Sequence, residues 1–393
     1  MMHHQEDTEN AAGAAERHTR EQVIVHLNAA GAALRSRATT DAMLEFLEME
    51  SKVGAYEMAS AYGKDLIARP YRELATLLGC APEEISLVSS ATEAWNEVIH
   101  GLAWTVFSEG AGIVTSITEY GSNYMTYLQL RKRFKIRLHI VDETREGDID
   151  VDALERLIQN NENNIVLISL PHVPTNSGRV YDVARVGEVA RRHKVLFLLD
   201  ACQSVGQMQV DVGTIGCDFL TGTSRKWLRG PRGVGFVYCS RRRRELFEPA
   251  SIDVHSAVLD SIDTYTIDRG SRMFEKYERC FVSICGFGVA VAELNQIGVD
   301  TVARRVQELA CILRKGLREI EGLRVEDKGA RLCGIVSFSV EGRDGETAKV
   351  RTERLFESLV AARFSISISR KTSTLLDMSR RGVECVIRAS PHV

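Results

Sequence analysis

Short continuous apolar runs alternate along this chain with stretches whose apolar residues recur at helical spacing. The runs at 112–117, 136–141, 164–170 and 195–199 each end in small or polar residues. Such runs mark strands buried on both faces of a parallel sheet. Residues 23–27 read as another short strand, entering the small-residue turn Asn28-Ala29-Ala30-Gly31, and the chain is then helical in period to about Leu78. Residues 86–104 read as a strand, a hydroxyl-rich turn and an amphipathic helix. Helices are expected over roughly 151–160, 183–193, 282–296 and about 300 to 320, with late strands near 334–340 and 364–369. A hairpin-like return follows Gly235, and 248–270 is less regular. Repeated strand–helix alternation with apolar strands predicts an α/β fold: a mainly parallel sheet with helices on both faces. The divisions expected are a polar, disordered leader at 1–21, a large domain over 22–275 and a smaller α+β domain over 276–393.

Composition adds exclusions. With 393 residues, 44% hydrophobic and 26% charged, the chain can bury a large core, and its net charge of −3 gives no case for a nucleic-acid or anionic-membrane partner. Arg241-Arg244 is the one basic block, read as a solvated helix start. Nine scattered cysteines without a Cys-x-x-Cys pair argue against disulfides or zinc and fit a reducing, cytoplasmic setting. No apolar run reaches membrane-spanning length, the leader lacks the apolar core of a signal peptide, and no metal site is expected, His3-His4 included.

The chemistry gathers between Leu196 and Gly235. The apolar run ends in Asp200, with Gln203 beyond it. Phe219-Leu220 leads through small hydroxyl residues to Lys226 and a Gly/Pro-rich turn. Ligands of open α/β sheets sit at the carboxyl ends of the strands, so Asp200 and Lys226 are expected to face one crevice. An acid and a lysine so placed suit pyridoxal phosphate: the amine links to the cofactor aldehyde, and the acid pairs with the pyridinium nitrogen.

The wording D-A-C-Q-S-V-G-Q followed by S-R-K-W-L-R-G-P-R-G resembles the cofactor site of the class V aminotransferase family, and the likeness runs from about Leu27 to His392. That family includes cysteine desulfurases, selenocysteine lyases, cystine and sulfoxide C–S lyases and isopenicillin N epimerases. The resemblance implies the fold type I architecture, with a seven-stranded-type sheet, and a homodimer. It implies that Lys226 carries the cofactor and then acts as base at Cα, that Asp200 supports the ring, and that Gln203 lies against the ring oxygen. Thr223 falls at a phosphate-binding position, and Arg225, where histidine is common, adds charge there. Arg229 and Arg232 shape the loop. Ser90, Ala91 and Thr92 cradle the phosphate at a helix start, although Ser90 with Glu93 also makes a capping box. Tyr120 stands where relatives stack a histidine on the ring; it offers an aromatic face but no proton-transfer group near neutral pH. Thr175 and Asn176 together take the position that contacts the ring hydroxyl or the substrate. Asn28 lies by the substrate, and Arg388 of R-A-S forks its carboxylate. Tyr56 reads equally as pocket or core, and His172 as catalytic acid or satisfied strand-end histidine. Lys276-Tyr277-Glu278 stands where relatives carry a Gly-Thr that reaches the partner's phosphate. Relatives also continue past the position of Val393 with a Tyr-Asn turn and a closing helix, so the small domain is expected to be shortened.

Desulfurases attack sulfur with a thiolate on a C-terminal loop. The corresponding loop, about Ser369 to Gly382, has no cysteine, and Cys385 reads as a buried thiol on the final strand. On the resemblance, a C–S lyase acting on a cysteine derivative or sulfoxide is the first expectation. An epimerase or an aminotransferase shares its first steps, and a non-catalytic homologue that binds the cofactor or a partner is the reading of another class. A nicotinamide dehydrogenase is a poor fit, because no Gly-x-Gly-x-x-Gly follows the first strand.

Overall fold

A computed structural model describes residues 24–245 and 247–393; the leader expected at 1–21 lies outside the described residues. The chain opens with Val25–His26 (β1), a short strand paired with residues 364–365 near the C-terminus, and the first lobe follows with Arg37–Val53 (α1) and Lys64–Leu78 (α2). Alternation then sets in: Ile85–Val88 (β2), Ala91–Thr105 (α3), Gly112–Ser116 (β3), Gly121–Phe134 (α4), Arg137–Val141 (β4), Val151–Gln159 (α5), Ile165–Pro171 (β5), Val183–His193 (α6) and Leu196–Asp200 (β6). Phe219–Thr223 (β7) and Gly235–Cys239 (β8) complete a seven-stranded sheet of order β2-β8-β7-β6-β5-β3-β4. Six strands run parallel. Only β8 runs against them, inserted between β7 and β2 as the return stroke expected after Gly235.

The apolar runs are continuous because both faces are covered. Phe197 and Leu199 enter the core beneath α5 and α6, while Leu198 enters the core beneath α3 and α4. Successive residues of a strand point to opposite faces, so a strand buried on both sides has no polar position to offer.

Downstream come the hairpin Ala257–Leu259 (β9) and Tyr265–Ile267 (β10), then Phe281–Ile297 (α7) and Val299–Arg318 (α8). A second sheet is built from Leu323–Val325 (β11), Val336–Val340 (β12), then, past Ala348–Ala361 (α9) and Phe364–Ser365 (β13), from Ser367–Arg370 (β14). Leu375–Arg381 (α10) leads into its last strand, Cys385–Ala389 (β15). The sheet is antiparallel, in the order β11-β12-β15-β14, with Phe338 and Ile387 packed under α8 and α9. The expected boundary at 275/276 puts α7 in this second lobe, but α7 packs along α1 and α2 of the first. Two glycines allow the close approach: a Cβ on Gly286 would lie 2.6 Å from Met43 and one on Gly288 2.8 Å from Pro70.

The basic block is solvated only in part. It forms one helical turn, in which Arg244 is buried against the carbonyls of Cys239 and Arg269, and Arg242 and Arg243 both pair with Asp218. All nine cysteines are free thiols, and among the described residues no single helix is long and apolar enough to cross a membrane.

Candidate active site

The carboxyl ends of β3, β5, β6 and β7 open onto one cleft of about 220 Å³, closed on the far side by β15. Asp200, Cys202 and Gln203 line it from the end of β6, Thr223 from the end of β7, and Arg225 and Lys226 from the turn that follows. Ser90, Ala91 and Thr92 come from the start of α3, Tyr120 and Asn123 from the start of α4, Thr175 from the exit of β5, and Arg388 from β15.

Lys226 is held by its turn rather than by an ion pair. Gly230 N–H donates to Ser224 O (2.9 Å), Ser224 Oγ donates to Pro231 O, and Arg229 N–H closes the turn on Lys226 O (3.0 Å). Arg229 sits at φ +54°, a left-handed position that the next residue, a glycine, does not have to supply. Among the described residues no carboxylate lies within ion-pair distance of the Lys226 amine, and burial pushes that amine below the ordinary lysine range, opposed by Cys202 and Asp200. An amine so placed is more readily neutral, the form in which it is a nucleophile and a base. The adjacent Trp227 is buried and donates Nε1–H to Gln203 Oε1 (2.9 Å), while Gln203 Nε2 donates to Ala30 O (3.1 Å). Gln203 thereby ties the lysine turn to the N-terminal segment at the cleft wall.

Asp200 Oδ1 accepts from Cys202 N–H (3.0 Å), and Oδ2 accepts from Asn123 Nδ2 (3.2 Å). Arg388, 8% exposed, donates Nη1–H to Thr175 O (2.6 Å) and Oγ1 (2.9 Å) and Nε–H to Ser367 Oγ (3.1 Å). Nη2 is left for a ligand in the cleft. Thr175 thus aims the arginine. Burial and the neighbouring Arg225 push Arg388 down to about 10, which leaves it charged at neutral pH.

Asn28 and Asn176 do not line the cleft. Asn176 is buried and donates to Asp377 Oδ2 (3.1 Å) of α10, while Asn28 Oδ1 is buried without a partner beside Gly31. Tyr56 is 74% exposed on the first lobe. The stretch expected as a loop at 369–382 is ordered as the end of β14, a turn at Lys371–Thr374 and α10; Thr372 O lies against Gly121, next to Tyr120. Cys385 is buried in β15, and burial raises its thiol, with Glu353 adding to the shift. The sequence alone does not single out Asn123, in the first turn of α4, or Glu119 behind it, two residues before that helix begins.

His172 is also away from the cleft lining, 6% exposed, its N–H donating to Asp200 O (2.9 Å). Burial above all, then the Arg331 charge, pushes its imidazole down to about 4, against Asp182, so it is no acid for neutral pH. In the unfolded chain the ring takes its proton near pH 6.5. Between those two values the unfolded state binds the extra proton. The stabilisation is therefore fully present above about pH 6.5 and is lost as pH falls toward 4, by up to about 3 kcal/mol. Glu119, pushed up to about 7 by burial, titrates in the opposite sense over the same range, so the test is a difference: the urea midpoint of wild type relative to His172→Gln will fall from about pH 7 to about pH 5, and a constant difference would remove His172 as its source.

The donor set fits pyridoxal phosphate. Three cations, Lys226, Arg225 and Arg388, face a cleft whose one carboxylate is Asp200, a balance suited to a ligand that carries a phosphate and to a carboxylate substrate. No intrahelical carbonyl reaches the first N–H groups of α3. The helix start is set by Gly235, where a Cβ would come within 2.2 Å of Ser90 C and 2.5 Å of Ala91 N.

A family model described as aminotransferase class-V matches residues 25–392. A probable cysteine desulfurase of Methanothermobacter thermautotrophicus is 27% identical over 333 residues, which are 84% of this chain and 81% of that protein. In structure, the chain is similar to the apo form of a cysteine desulfurase from Thermococcus onnurineus, with a TM-score of 0.83, 24% identity and coverage of 94% of this chain and 90% of that one. It is also similar to a cystine C–S lyase solved with its product cysteine persulfide, with a TM-score of 0.81, 20% identity and coverage of 94% and 93%. These structural likenesses establish the fold type I architecture.

Proposed function

The chain belongs to the class V aminotransferase family of pyridoxal phosphate-dependent enzymes, and we propose that it is a C–S lyase that eliminates a sulfur group from the β-carbon of a cysteine derivative. The observation that carries this is the unpaired Lys226 amine, set in one cleft with Asp200 at a strand end and Arg388 opposite. We assign the phosphate to Ser90, Ala91, Thr92, Thr223 and Arg225, the ring nitrogen to Asp200, the ring face to Tyr120 and the substrate carboxylate to Arg388. The cofactor, when bound, supplies an electron sink for the pair left on the substrate α-carbon.

The chain's own residues then divide the work. Arg388, aimed by Thr175, fixes the carboxylate and so sets which Cα bond faces Lys226. The Lys226 amine takes the α-proton. As the Cβ–S bond breaks, its electron pair leaves on sulfur, which needs one proton, and the Lys226 ammonium is the acid in the cleft able to return it. With one water consumed, the balanced products are the thiol, pyruvate and ammonia. A desulfurase needs a thiol to accept sulfur. The turn and helix at 371–381, which stand beside Tyr120, carry none, and Cys385 is buried.

The cofactor-binding residues fall in 22–275 and Arg388 in 276–393. A homodimer is favoured by the β9–β10 hairpin, which exposes Val258 (63%), Leu259 (75%) and Ile262 (95%). The free thiols suit a reducing cytoplasm.

Incubation of the loaded protein with cystine and S-substituted cysteines is expected to yield pyruvate, ammonia and the sulfur product in equal amounts. Alanine with transferred sulfur would make it a desulfurase. Exchange of the α-proton in deuterated buffer without net conversion would make it an epimerase, and keto acid formed only with an amino acceptor an aminotransferase.

A further inference from the structure

We infer that Glu119 is a positioning residue for the cofactor's acid: it anchors Asn123, and Asn123 holds Oδ2 of Asp200 at the end of β6. The inference rests on Asp200 as the ring partner. A single amide makes the link, since Asn123 Nδ2 donates to Glu119 Oε1 (3.0 Å) and to Asp200 Oδ2 (3.2 Å). Glu119 is 3% exposed and lies behind the cleft wall. Its own place is over-determined. Oε1 also accepts from Tyr120 N–H (2.7 Å), and Oε2 accepts from Thr115 Oγ1 (2.6 Å) and Tyr127 OH (3.1 Å).

Among the described residues no cation pairs with Glu119. A buried carboxyl met only by neutral donors is costly to desolvate. What it delivers is the orientation of Asn123 and a second acidic group behind Asp200. The titratable groups that face it are Asp200 from β6 and Tyr127 from α4. Burial pushes Glu119 up to about 7, with the Thr115 hydroxyl opposing and the Asp200 charge adding. Burial and Glu119 hold the Tyr127 phenol well above its ordinary range, so Tyr127 serves as a neutral donor.

Two carboxyl groups in line favour a proton on the ring nitrogen more than Asp200 does alone. Glu119→Gln removes, at constant shape, the charge that Glu119 carries above about pH 7, so the comparison is made at about pH 8. Asn123→Ala cuts the link while leaving the other three donors on Glu119. Both variants, as full chains shown folded by circular dichroism, are compared with wild type in two measurements that need no turnover. Equilibrium dialysis gives cofactor affinity, and nitrogen-15 NMR of ring-labelled pyridoxal phosphate gives the ring's protonation state. Each variant is expected to weaken cofactor binding by about tenfold and to move the ring signal toward the unprotonated form. A merely structural role would not shift that signal. Wild-type affinity and an unchanged ring signal in both variants would overturn the role of Glu119 alone. A wild-type protein that binds no cofactor would overturn the cofactor assignment and this role with it.

Discussion

Replacing Lys226 with alanine will abolish turnover, by at least about 10³-fold, without unfolding the protein. The turn that carries the lysine is held by backbone and neighbouring contacts: Ser224 on Pro231, Gly230 on Ser224, Trp227 on Gln203. None of them uses the lysine side chain. Truncation removes a half-buried amine that has no ion-pair partner among the described residues, so no charge is left stranded and the urea midpoint will stay close to wild type. Cofactor remains bound through the start of α3 and Asp200, but its visible band changes because the covalent link is gone. Single-turnover assays with an S-substituted cysteine and absorbance spectra of the loaded variant check both halves. Turnover within tenfold of wild type would remove Lys226 from the chemistry.

Replacing Arg388 with lysine will act on the substrate rather than on the cofactor. The guanidinium is 8% exposed and spends Nη1 and Nε on Thr175 and Ser367, which leaves Nη2 for a carboxylate. A lysine keeps the charge but has neither the fork nor the fixed plane. Burial with Arg225 pushes the arginine down to about 10, so the wild-type side chain stays charged across the neutral range, and any loss reports geometry rather than ionisation. KM is expected to rise about 100-fold, the equivalent of one charge-assisted hydrogen bond of about 3 kcal/mol. The effect on kcat should be smaller and cofactor affinity unchanged. Steady-state kinetics with a dialysis control separates these. A loss of cofactor affinity with KM intact would move Arg388 from the substrate to the phosphate.

Much of this was legible in the sequence because buried parallel strands write themselves as uninterrupted apolar runs that end where ligands sit. The run ending at Asp200 is such a strand, and Thr223 ends another, which Lys226 follows. The helix start at Ala91 was legible from Ser90 and Glu93, and the Ser90 hydroxyl does accept from Glu93 N–H (3.1 Å). What could not be read was side-chain direction. Asn176 stands next to Thr175, yet a step of one residue sends it to Asp377 and leaves Thr175 on Arg388. The position of Asn123 depends on how far the first turn of α4 rotates toward β6, a packing matter that no local pattern encodes. The stretch at 369–382 looked like a loop because Lys371, Thr372, Ser373 and Thr374 carry no apolar period; distant contacts order it, among them Thr372 with Gly121, Lys371 with Glu384, Asp377 with Asn176 and Arg381 with Glu326. The antiparallel strand β8 is as apolar as the parallel ones, and only the Gly/Pro-rich turn before it marks the return after Gly235.

Borohydride reduction of the full-length protein mixed with pyridoxal phosphate, followed by peptide mass mapping, tests the site most directly. The result expected is a single reduced cofactor adduct on the peptide that contains Lys226, lost in Lys226→Ala and blocked when Asp200→Asn prevents binding. No adduct, or one spread over surface lysines such as Lys64 and Lys132, would contradict a cofactor held in the cleft between Asp200 and Arg388.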